Sequence, residues 1–164
     1  MNEINDNKKA MSEDVKQALI RFNKDNIYVQ NLKIELVDMS LGYVKGKMMV
    51  TEDVLNPYGS VHGGCLYSLA DIVSGIAACT YGKFSSTIDG TMTYIAPAMN
   101  TEYLICEGIE IRQGKKVSLY EANIYDDKGQ LVDKARFSFY MMNRSVVESV
   151  SYTHLRAHET RRHL

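Results

Sequence analysis

The chain carries almost no surplus charge of either sign: nineteen Lys and Arg stand against twenty Asp and Glu among 164 residues, a formal net charge of −1. Neutralising a phosphate backbone needs a basic excess, so nucleic-acid binding is not expected. No apolar run approaches the ~20 residues of a membrane-spanning helix, because Asp, Ser and Gly interrupt each one. The opening stretch MNEINDNKKA has no apolar core of an export signal. The expectation is a soluble, cytoplasmic chain with no membrane partner. Cysteine is scarce too: Cys65, Cys79 and Cys106 form no CxxC pair, and an odd count argues for reduced thiols and against a zinc site. On a shared helix Cys65 and Cys79 would lie ~21 Å apart at ~1.5 Å per residue, beyond disulfide reach.

Histidine is sparse once the chain end is set aside. Three of the four, His154, His158 and His163, fall in the last eleven residues and could suggest a metal tract. However, VSYTHLRAHET, which begins at Val150, resembles the translation of a transposon-type sequencing adapter, and residues 150–164 continue no helical or strand period. They are read as a non-native tail and left out of the fold. The remainder has sixteen basic and nineteen acidic residues, a net charge of −3, and one histidine, His62.

What is present suits one domain: 45% of residues are hydrophobic and 24% charged, enough to bury a core unaided. Residues 1–26 read as a polar start and a helix from Ser12, with Glu13 and Asp14 at its positive end and Val15, Ala18, Leu19 and Phe22 at helical spacing. Residues 27–149 read as the main domain. Strands are expected at 32–39 and 43–50, joined as a hairpin, then a long helix at 63–81. Four more strands follow at 85–95, 102–112, 116–125 and 131–142, with Pro- or Gly-bearing turns between them. Short links favour an antiparallel sheet packed on the long helix.

Between Asp53 and Lys83 lie twenty-nine residues with one formal charge, Asp71. Helical spacing puts Leu66, Leu69, Val73, Ile76 and Thr80 on one face, and Asp71 opposite them among Gly64, Ser68, Ser74, Gly75 and Ala78. Asp71 could mark an ordinary solvated face. Small neighbours in place of Lys and Glu point instead to close approach by another backbone or subunit, where a lone carboxylate is a candidate general base or nucleophile. At the helix entrance, the first N–H groups lack internal partners and sit at the positive dipole end, so Gly63 could donate to a carbonyl oxygen gaining negative charge. The plainer alternative is that Gly63 and Gly64 permit a tight turn and His62 caps the helix. The turn holding Arg112, Lys115 and Lys116 offers three positive charges in five residues for phosphate contact, or is an ordinary solvated hairpin end.

The run Asn56-Pro57-Tyr58-Gly59-Ser60-Val61-His62-Gly63-Gly64, with Asp71 nine residues after His62, resembles the signature of hotdog-fold acyl-CoA thioesterases of the phenylacetic-acid-degradation (PaaI-like) type. The likeness continues through Thr87 to Pro97 and covers about residues 27 to 143. It implies an α+β hotdog fold, a curved antiparallel sheet wrapped around one long helix. It also implies a homodimer, paired into a tetramer, with active sites at the dimer interface. The implied substrate is an acyl-CoA thioester, with coenzyme A present only as part of it and no metal or redox cofactor. By the same carry-over Gly63 N–H polarises the thioester carbonyl, His62 helps position it, and Asn56 helps hold the attacking water. Asp71 from the partner subunit is the base or nucleophile, and Thr87 assists it. Gly64 joins Arg112, Lys115 and Lys116 among the substrate contacts. Two alternatives stand beside hydrolysis: hydratase or dehydratase chemistry on 3-hydroxyacyl thioesters, and a non-catalytic acyl-CoA-binding module.

Overall fold

The computed structural model describes residues 10–148, so the expectation for residues 150–164 lies outside the described residues. Helix α1 spans Glu13–Asp25, with Ser12 extended at its N-cap and Ala18 and Leu19 buried. A second, unforeseen helix, α2 (Ile27–Asn31), follows at once. Asn26 starts it by accepting from the N–H groups of Tyr28 and Val29 at 3.1 and 3.4 Å. Five residues carry too little periodicity to be read from sequence.

Strands β1 (Ile34–Ser40) and β2 (Tyr43–Met49) form the expected hairpin. Helix α3 (Gly63–Cys79) is followed by β3 (Lys83–Tyr94), β4 (Tyr103–Arg112), β5 (Val117–Tyr125) and β6 (Leu131–Ser145). The six strands make one antiparallel sheet in the order β1-β2-β4-β5-β6-β3. Residues 96–101 are not a hairpin turn: β3 pairs with β6 at the sheet edge, and the link crosses to β4, three strand spacings or ~14 Å away. A link's length separates antiparallel from parallel neighbours, but it does not name the neighbour.

The sheet curls around α3. Leu66, Leu69, Val73, Ile76 and Thr80 are buried as the helical spacing predicts. Two strand glycines allow the contact: a Cβ at Gly46 would sit 2.7 Å from a Val73 methyl, and one at Gly108 would sit 2.9 Å from the Ser74 Cα. That second contact corrects the reading of the small-residue stripe. Ser74 and Ala78 are fully buried, Ser74 by this chain's own β4, so neither awaits another subunit. The rest of the stripe, Gly64, Ser68, Asp71 and Gly75, at steps of four, three and four residues along α3, is only partly covered, with the Tyr28 hydroxyl of α2 hydrogen-bonded to Ser68 Oγ at 2.7 Å.

The helix stops at Cys79 rather than residue 81. Thr80 closes it by donating to the Ala77 carbonyl at 2.6 Å while accepting from Gly42 N–H at 2.9 Å. Cys65, Cys79 and Cys106 are free and buried. Among the described residues no helix is long and apolar enough to cross a membrane.

Candidate active site

The N-terminus of α3 is held by the loop before it. Leu55 bridges Val61 across that loop, and Val61 N–H donates to the Ala98 carbonyl at 3.0 Å, tying it to the β3–β4 link. Asn56 organises the turn inside: its Oδ1 accepts from Tyr58 N–H at 2.9 Å and Ser60 N–H at 3.1 Å. Two N–H donors converging on one side require the amide oxygen there, so the Nδ2 donors are the groups left to face a ligand.

His62 is the N-cap of α3, and its Nδ1 accepts from Gly64 N–H at 2.9 Å. An accepting Nδ1 puts the ring proton on Nε2, which faces outward as a donor. The capping role is therefore real, and it revises the expectation for Gly64, whose N–H is already committed to His62. Gly63 N–H has no acceptor among the described residues. The Gly63 carbonyl accepts from the Tyr94 hydroxyl at 3.0 Å, and a Cβ on Gly63 would lie 3.2 to 3.3 Å from that ring. A side chain there would press on the Tyr94 ring, which glycine leaves undisturbed.

Asp71 lies two turns further along α3, half-buried, where β3 passes. Thr87 Oγ1 donates to Asp71 Oδ1 at 2.7 Å, and a register shift between Thr87 and Asp89 marks a bulge at that point of β3. Burial raises the Asp71 pKa above the ordinary carboxylate value of 3.8, and the Thr87 hydrogen bond partly opposes the rise. A cavity of about 140 Å³ adjoins the pair, walled by Leu19, Phe22, Ile76, Phe84 and Phe139, with α1 as its roof.

These two groups do not meet within one chain. Eight residues of helix separate Gly63 from Asp71, ~12 Å at ~1.5 Å per residue. Gly63 and Asn56 line a different cavity, of about 300 Å³, that shares no residue with the one at Asp71. Nor does one chain bring the cationic turn to Gly63. Arg112, Lys115 and Lys116 are exposed at the far end of β4 from the 96–101 link, ~30 Å along the strand at ~3.3 Å per residue.

Two residues outside the candidate set also shape this site. Tyr94 packs on Gly63, as above. Asp133, opposite Tyr94 in the β3–β6 pairing, is buried and lines the same cavity. Burial pushes its carboxyl up to about 7. Its signal was an Asp in the inward phase of β6, in step with Ala135, Phe137 and Phe139. Among the described residues, no three or more His, Cys, Asp or Glu side chains cluster closely enough to hold a metal ion.

The pattern of the thioesterase superfamily matches residues 58–132. A candidate esterase of Archaeoglobus fulgidus is 30% identical over 133 residues, 78% of this chain and 86% of that one. The Escherichia coli acyl-coenzyme A thioesterase PaaI is 29% identical over 101 residues, 62% of this chain and 72% of that one. The solved structure of the E. coli PaaI protein aligns with TM-score 0.79 over 83% of this chain and 99% of that one, a likeness of fold at 24% identity. A hypothetical thioesterase of Streptococcus pneumoniae, solved with coenzyme A, aligns at 27% identity and TM-score 0.65 over 68% of this chain and 88% of that one. Variants of the pneumococcal protein with alanine at an Asp, and at a Thr sixteen positions later, have also been solved.

Proposed function

The chain belongs to the thioesterase superfamily, and from that premise we propose how it hydrolyses an acyl-CoA thioester: one copy polarises the carbonyl and a second copy supplies the base. The observation that carries this reading is the ~12 Å of helix between Gly63 and Asp71, too long for both to reach one carbonyl. A two-fold pairing along the partly exposed strip of α3 sets the Asp71 of one copy against the Gly63 of the other. Support comes from the pneumococcal relative, where the Asp and Thr chosen for alanine replacement have the sixteen-residue separation of Asp71 and Thr87.

In this reading Gly63 N–H, at the positive end of α3, donates to the thioester oxygen, Asn56, which lines the same cavity, offers Nδ2 as a further donor, and His62 is assigned the positioning of that group. Thr87 fixes Asp71 Oδ1, so Oδ2 takes the proton of a water as its oxygen attacks the carbonyl carbon. The tetrahedral intermediate collapses with loss of the carbon–sulfur bond, and the proton passes to the departing thiolate. The products are a free acid and coenzyme A, with no metal or redox cofactor in any step.

Coenzyme A bound to the pneumococcal relative supports the choice of thiol. The exposed cations Arg112, Lys115 and Lys116, supplied by another copy, are the charge complement assigned to its phosphates. Pairing of dimers into a tetramer is supported by Ile111, Val117, Leu119 and Tyr140, all exposed on the outer face of β4–β6. The setting assigned to the enzyme is the cytoplasm, where coenzyme A and three buried free thiols fit together.

The test is thiol release from short, medium, long and aryl acyl-CoA by the wild type and by Asp71→Asn. Turnover by the wild type and its near-complete loss in a folded variant are expected. Wild-type-like turnover by Asp71→Asn would overturn the assignment.

A further inference from the structure

The cavity beneath the α3 N-terminus holds a carboxylate that the reaction above does not use. Asp133 is 0% exposed, and neither Oδ1 nor Oδ2 has a hydrogen-bond partner among the described residues. It points inward because β6 alternates: Asp133 shares the helix-facing side with Ala135, Phe137, Phe139 and Met141, and it alone of the five is polar. Tyr94, opposite it, projects from the same face and reaches the Gly63 carbonyl. Asp133 therefore lies under the helix entrance, in the cavity of about 300 Å³ also lined by Asn56 and Gly63.

A buried carboxylate without donors destabilises the fold, and an apolar side chain would fit the inward row of β6 at no such cost. Tyr94 and Cys106 are the titratable groups that feel its charge, and both are acids, so neither neutralises it. The missing donor is assigned to whatever occupies the cavity, which reaches the two oxygens by displacing the lining around them. Under the reading above, which this inference rests on, that occupant is the acyl end of the thioester whose carbonyl lies at Gly63.

We propose that Asp133 is a specificity-determining residue that selects acyl groups carrying a hydrogen-bond donor, a hydroxyl or an amine, beyond the thioester carbonyl. A site built to pair a polar group rejects the analogue lacking it far more strongly than an apolar pocket separates two hydrocarbons. A plain aliphatic acyl group leaves Asp133 buried and unpaired.

The test compares kcat/KM within two matched sets of CoA thioesters: propionyl, 3-hydroxypropionyl and β-alanyl, and hexanoyl, 6-hydroxyhexanoyl and 6-aminohexanoyl. The wild type is expected to favour a donor-bearing member over its parent by about tenfold or more. The hydroxyl and amino arms show which donor serves. In both Asp133→Asn and Asp133→Val that ratio should fall toward one while the melting temperature rises, since the carboxylate has no partner to lose. A ratio unchanged in both variants, or a melting temperature lowered in both, would overturn the proposal. Hydrolysis of the parents with no preference for either donor would overturn it alone. No turnover of any member would overturn it together with the thioesterase reading.

Discussion

Thr87 Oγ1 donates to Asp71 Oδ1 across 2.7 Å, joining the edge strand β3 to the middle of α3. A carboxylate with one oxygen held by a donor has the other oriented, and the bond also favours its ionised form. Thr87→Val should lower kcat by roughly 10- to 100-fold, the scale of one hydrogen bond to a charged group, with little change in KM. Thr87→Ser should keep most of the activity. Steady-state kinetics on one acyl-CoA checks this; a large rise in KM with kcat unchanged would make Thr87 a binding residue instead.

Burial raises the Asp71 pKa above 3.8, and only the ionised form accepts a proton. Activity should therefore decline as pH falls, with an acid limb in kcat/KM centred above 3.8. In Thr87→Val the limb should move further up, because the donor that favours the carboxylate is gone. A pH–rate profile of the two proteins measures both effects, and a limb that stays put in the variant would contradict the coupling.

Asp133 makes stability depend on pH in the direction opposite to most carboxylates. Its folded-state pKa of about 7 exceeds the ordinary 3.8, so the folded state holds the proton more tightly than the unfolded chain does. Stability thus falls as pH rises between those values, and the full penalty applies above the upper one. At pH 8 the shift corresponds to about 4 kcal/mol, and at pH 5 to under half of that. Asp133→Asn should accordingly raise the melting temperature more at pH 8 than at pH 5. Equal gains at both values would show that the group does not titrate in this range.

Asp71 was legible in the sequence because it is the one charge in twenty-nine residues and falls among small side chains. The order of the six strands and the two longer helices, and the buried face of α3, followed from periodicity, whereas α2 was too short to show. The stripe of small residues was only half understood, since helical angle alone does not say that Ser74 lies against Gly108. The double duty of Asn56 was hidden as well: its carbonyl oxygen is consumed by a turn that forms only when residues 55–61 close on themselves. Asp133 left a readable trace, yet Lys134 and Arg136 beside it make that stretch look like an ordinary charged surface until the phase of β6 is fixed.

The proposed site, in which Gly63 and Asn56 of one copy act with Asp71 of another, is open to a subunit-mixing experiment. Asn56→Asp keeps an acceptor for the turn but removes the Nδ2 donor and adds charge where the carbonyl oxygen would bind; Asp71→Asn removes the base. Each variant alone should be a folded, nearly inactive dimer. After subunit exchange, half of the dimers pair one variant with the other, and one of their two sites is then intact, so activity should return to about a quarter of wild type. No recovery in mixtures shown to contain the mixed dimer would contradict the shared site.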